Sequence, residues 1–212
     1  MYSFLVNCGY VFLFLNFILY TIKFPGKNKA YKVFVIYLLI IVCVQIAARI
    51  CMMKKVSNLF LSHIYFIGQF IALSIFYLKL VKDQFQKKVI KIGFVLVLLT
   101  LGIQYGLKPE MFLKFNLYEI FITSFLLIIY AVFHFYNMLD EKKEFYFINM
   151  GILLYLFAST ILFLIGNLTA KFSKDFNLIT WTLNAGLVIV YHLFFLYEWK
   201  VSYSRTKTIN SN

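Results

Sequence analysis

The stretch KVFVIYLLIIVCVQIAARICMM, residues 32–53, decides the fold. No charge lies between Lys32 and Arg49, and Gln45 is its only amide. A helix needs about 20 mainly apolar residues to cross the hydrocarbon core of a bilayer. A spanning β-strand would be about half as long and would alternate polar with apolar positions. The run has helix length and no alternation. Six further runs follow the same rule, near residues 3–22, 58–80, 89–107, 115–137, 145–168 and 178–198. Both prolines, Pro25 and Pro109, fall between runs, so straight spans are predicted.

Composition agrees with this pattern. The chain is 63% hydrophobic and 14% charged, whereas soluble domains are about 45–50% apolar and about 25% charged. The excess apolar surface has no core large enough to hide in, so lipid must cover it. The expectation is an all-α polytopic membrane protein, a seven-transmembrane-helix bundle forming one domain over residues 1–200. Residues 201–212, VSYSRTKTINSN from Val201, read as a polar cytoplasmic tail that frays. The opening MYSFLVNCGY lacks a basic leader and no A-x-A site follows, so the first run is predicted to stay as a span.

A net charge of +13 could signal nucleic acid. Here Lys and Arg occur in short groups between apolar runs, which suits membrane phosphates instead. The lipid bilayer is therefore the expected partner, and nucleic acid is not. Cys8, Cys43 and Cys51 form no CxxC and no Cys/His zinc spacing, so neither a metal site nor a cofactor is expected. They read as small packing residues, with a Cys8–Cys51 bridge as the sharper alternative.

Orientation follows from the connections. About two thirds of the 21 Lys and Arg fall in the first, third and fifth loops and the C-terminal segment. The positive-inside rule makes that side cytoplasmic, which places the N-terminus outside and the C-terminus inside. Trp181, Tyr197 and Trp199 stand where span ends meet headgroups.

With that topology, polar residues gather towards the outer face. Gln45 and Arg49 are i, i+4; Asn116, Glu119 and Thr123 are i, i+3, i+7; Asn177, Trp181 and Asn184 continue a stripe on the last span. His63 and Gln69 stand on the third span. Polar groups facing lipid are costly, so these stripes are expected to face one another. Gln45, Arg49, His63, Gln69, Asn116, Glu119, Thr123, Trp181 and Asn184 are thus the candidate ligand pocket, with a small molecule as a possible ligand. Glu119, near the start of KFNLYEIFITSFLLIIY (114–130), is expected to pair with Arg49, or failing that with His63. The alternative leaves Arg49 and Glu119 separately in wet headgroups. On the inner side, His134, His192 and Glu198 could serve a lipid-modifying enzyme, although a lone His is more often a packing group. Gly102 and Gly106 form a GxxxG that suggests close helix packing.

Three segments carry a resemblance: SHIYFIGQFIALSIFY (62–77), FINMGILLYLFASTILFLIGN (147–167) and ITWTLNAGLVIVYHLFFLYEWK (179–200). They resemble small, uncharacterised seven-span inner-membrane proteins of Bacteroidetes. The resemblance rests on His63, Tyr65 and Gln69, on Gly151, and on Trp181, Asn184, Trp199 and Lys200. Gln69 stands where a carboxylate is common in that family. The resemblance implies a bacterial inner-membrane location and no established activity. Three better-known seven-span classes fit poorly. The last span has no retinal lysine, His192 lacks a His-x-x-x-His partner, and no span holds the proline bends of SWEET-type transporters.

The favoured expectation is a non-enzymatic sensor or accessory subunit with an outward-facing polar pocket. A cytoplasmic or membrane protein partner would read its helix arrangement. A transporter of a small polar or amphiphilic solute, an intramembrane lipid-modifying enzyme and a membrane-permeabilising effector are the alternatives.

Overall fold

The computed structural model describes residues 1–140, 143–169 and 174–209. Among them there is no strand, and seven helices are long and apolar enough to cross a membrane. They are α1 (Tyr2–Ile22), α2 (Lys29–Met53), α3 (Leu59–Leu80), α4 (Gln84–Leu107), α5 (Leu117–Asp140), α6 (Tyr146–Thr169) and α7 (Lys174–Ile209). A 3₁₀ turn, Pro109–Leu113, sits between α4 and α5.

All seven expected spans are present, and their ends show what limits each. Asn28 caps α2, its side chain accepting from the Tyr31 N–H at 2.8 Å. Asp83 does the same for α4 through the Gln86 N–H at 2.7 Å. That cap lets α4 begin at Gln84, about a turn before its apolar run near 89. At the end of α2, Lys55 has φ 56°. The Lys55 N–H bonds Met52 O at 3.1 Å and the Val56 N–H bonds Cys51 O at 3.0 Å. This is the Schellman closure usually made with glycine. Helix α7 runs on to Ile209, so residues 201–209 are helical rather than frayed; residues 210–212 lie outside the described residues, as does the α6–α7 connection, residues 170–173.

The chain divides into two compact units. One unit, residues 1–23 and 135–212, contains α1, α6 and α7. Asn16 Nδ2 donates to His192 O at 2.9 Å, Tyr20 Oη to Phe195 O at 2.9 Å, and Trp199 Nε1 to Leu19 O at 3.1 Å. These pairings ascend together, so α1 and α7 run parallel. Helix α6 runs antiparallel to α7, with Tyr155 stacked on Tyr191 and Phe163 against Trp181. Gly151 lets α6 approach α7 closely, since a Cβ there would lie 2.8 Å from Phe194 Cβ.

The other unit, residues 24–134, contains α2, α3, α4, the 3₁₀ turn and most of α5. Phe34, Leu38, Phe70, Leu73, Phe76 and Tyr77 fill its interior. Phe34 packs on Phe76 and Tyr37 meets Gln69, so α2 and α3 are antiparallel. Helix α4 keeps a bare apolar face, with Leu96, Leu99, Ile103 and Leu107 each more than half exposed. In water that face would drive aggregation; in a bilayer it meets lipid.

Candidate functional site

Within this second unit, the start of α3, the end of α4 and the start of α5 converge on one carboxylate. Glu119 is fully buried and His63 is 1% exposed. His63 Nδ1 lies 3.0 Å from Glu119 Oε2, close enough for a direct polar contact. The Tyr105 hydroxyl donates to the same Oε2 by a short hydrogen bond, and it lies 2.9 Å from His63 Nδ1. Asn116 Nδ2 donates to the Tyr105 oxygen and to Gln104 Oε1, each at 3.1 Å.

The local sequence builds this arrangement directly. Asn116 precedes α5, and its Oδ1 accepts the Glu119 N–H at 3.3 Å, an N-cap contact. Its amide nitrogen is thereby turned towards α4. Glu119 sits three residues into the capped turn, where the helix N-terminus favours negative charge. Thr123 donates to Glu119 O at 2.7 Å, so its hydroxyl bonds its own helix backbone. The 3₁₀ turn brings Phe112 over the network, its ring 5.3 Å from His63 and 4.6 Å from Tyr105, centroid to centroid.

This geometry corrects the expected pairing. The partner of Glu119 is His63, and Arg49 is exposed. Arg49 stands four residues before the end of α2, about 6 Å along the axis. A long side chain at that depth reaches a wet headgroup more cheaply than an interior carboxylate. Gln45 is half-buried. Gln69 is buried but donates to the Tyr37 hydroxyl at 3.3 Å, away from the carboxylate. Trp181, 39% exposed, and Asn184 belong to the unit of α1, α6 and α7, whereas the network belongs to the other. Of the nine expected pocket residues, the network unites His63, Asn116 and Glu119.

Sequence reasoning missed Tyr105, Gln104 and Phe112. A tyrosine near a span end reads as an interfacial aromatic, and nothing local marks its hydroxyl as turned inward. The one usable signal was Asn116 three residues before Glu119, the spacing of a capping box.

Other candidates take structural roles. Glu198 Oε2 accepts from the Phe147 N–H at 2.8 Å and so satisfies the start of α6, while its Oε1 accepts from Ser202. A carboxylate at a helix N-terminus is ordinary stabilisation. His134 and His192 fall in different units, and among the described residues no three His, Cys, Asp or Glu could hold a metal ion. The three cysteines are free, so the Cys8–Cys51 bridge is not formed. Gly102 and Gly106 have nothing within 4 Å of an added Cβ, so they mediate no close packing within the chain.

No family model, curated protein or solved structure matches the chain.

Proposed function

We propose that this chain is a non-enzymatic sensor or accessory subunit of the bacterial inner membrane, and that the Glu119 network is its responsive element. One observation carries this: a fully buried carboxylate joins three helices through side chains alone. Such a junction is sensitive to whatever changes the charge or hydrogen bonding at one atom. The loop charges favour an external N-terminus and internal C-terminus, which puts the network at the outer face. Parallel α1 and α7 agree with an odd number of crossings.

The same helices offer a route inward. Helices α3 and α5 are parallel and meet again where Tyr77 faces Tyr130 and His134, with centroids 6.4 and 6.3 Å away. Tyr130 lies 11 residues beyond Glu119, about 17 Å along α5. A small shift of α5 against α3 at the carboxylate would change packing at this second cluster, where a cytoplasmic or membrane partner could read it.

Hydrogen exchange on the full chain in nanodiscs tests this, comparing the parent with Glu119→Gln. The sensor reading requires faster exchange around residues 130–137 as well as at the start of α5. Change confined to residues 117–124 would make the network a local brace and end the proposal.

A further inference from the structure

The Glu119 network occupies one end of its unit, where α3 starts and α4 ends. The other end carries a different feature. Phe34 packs on Phe76 with ring centroids 5.8 Å apart, which sets the start of α2 beside the end of α3. Residues 81–83 then join α3 to α4. Two connections distant in sequence are thereby brought to one level. Residues 27–32 supply three lysines and residues 79–91 supply five. All are exposed except Lys87, which is half-buried. Within this unit, residues 24–134, the carboxylate at that end is Asp83, whose Oδ1 accepts the Gln86 N–H at 2.7 Å and caps α4. The opposite end holds five cations against two carboxylates, Glu110 and the buried Glu119. Positive charge is thus concentrated at the end of α3, eight lysines to one aspartate.

These lysines do not serve the helices they stand on. Lys29 and Lys32 lie in the first turn of α2 and Lys87 in that of α4, where the helix field disfavours a cation. Lys87 and Lys91, four residues apart, repel each other on one face. Anions placed among them relieve both effects. The setting narrows which anion. The helices are long enough to span a bilayer, so their ends lie level with lipid headgroups. Phe85, 71% exposed, sets an apolar ring amid the lysines. A nucleic acid or an acidic protein would leave that ring against a polar surface. A phospholipid offers its phosphate to the lysines and its acyl chains to the ring. We propose that this lysine patch binds anionic phospholipids, their phosphodiesters among the ammonium groups and Phe85 at the acyl boundary. The patch lies at the opposite ends of α3 and α4 from Glu119, so it stands independently of the sensor reading.

The test uses the full chain in uncharged maltoside micelles, following thermal unfolding as phosphatidylglycerol, phosphatidylcholine or inorganic phosphate is added. Phosphatidylglycerol should raise Tm, and the other two should not. Lys79→Gln, Lys88→Gln and Lys91→Gln together should raise the half-saturating phosphatidylglycerol concentration about tenfold or more. Lys54→Gln, Lys108→Gln and Lys114→Gln together remove the same charge from the opposite end and should respond like the parent. Phe85→Ser should weaken the response about threefold or more. An equal response to phosphatidylcholine or phosphate overturns the proposal. So does an equal loss in both triple variants, which would make the effect one of net charge. An undiminished response in the patch variant, or a duplex oligonucleotide that stabilises the parent as well as phosphatidylglycerol does, overturns it too. Should the patch variant fail to fold, Lys88→Gln and Lys91→Gln decide singly, each expected to raise the half-saturating concentration about twofold to fivefold.

Discussion

Replacing Tyr105 by Phe removes one oxygen and little volume, so its effect measures the network itself. That oxygen donates to Glu119 Oε2, accepts from Asn116 Nδ2 at 3.1 Å and lies 2.9 Å from His63 Nδ1. After its loss Glu119 Oε2 still has His63 at 3.0 Å, and Asn116 Nδ2 still has Gln104 at 3.1 Å. Each group loses one partner and none is stripped of all. A hydrogen bond to a charged group contributes about 1.5–3 kcal/mol. Interhelical bonds in membranes average only about 0.6 kcal/mol, because the unfolded chain in lipid also finds partners. Tyr105→Phe should therefore cost about 1–2 kcal/mol. His63→Ala should cost more, about 3 kcal/mol, since it removes a buried ring and a hydrogen-bond partner of a buried carboxyl group together. Reversible unfolding in mixed SDS micelles, followed by far-ultraviolet circular dichroism, gives both values. The reasoning fails if Tyr105→Phe lies within about 0.3 kcal/mol of the parent, half the average for an interhelical bond in a membrane. It fails equally if Tyr105→Phe costs more than His63→Ala.

Three further predictions use the same assay. Gly151→Ala should destabilise by about 1–3 kcal/mol, because its Cβ would meet Phe194 Cβ at 2.8 Å and a whole helix must move. Gly102→Ala, with open space around it, should instead be neutral or stabilising by up to about 1 kcal/mol through helix propensity. Lys55→Gly should stabilise by about 0.5–1 kcal/mol, because Lys55 holds φ 56° in a closure that glycine adopts without strain.

The spans were legible because an apolar run of bilayer length has few other solutions. Their ends were less so. The basic segment after Asp83 reads as a connection, yet a side-chain cap starts α4 there. The site was half legible. Asn116 and Glu119 follow from helical spacing, which reports shared faces within one helix, and His63 follows from its depth on the third span. Spacing carries no information on which helices adjoin, so Arg49 was preferred for its permanent charge. Trp181 and Asn184 were grouped with the others by depth alone, and depth does not distinguish the two units. Tyr105 was hidden because a tyrosine at a span end looks the same whether its hydroxyl meets water or a carboxylate.

The clamp between α1 and α7 bears on how the protein is made. Asn16 meets its acceptor 176 residues later, and Tyr20 and Trp199 close similar intervals. At about 5–20 residues per second, roughly 10–35 s separate the synthesis of the two helices. During that time the amide of Asn16 has no carbonyl of α7 to bind. Insertion machinery, or water at its lateral gate, must shelter α1 until its late partner emerges. Biogenesis of this protein should thus be more sensitive to translation speed than a chain whose neighbouring helices pair in order.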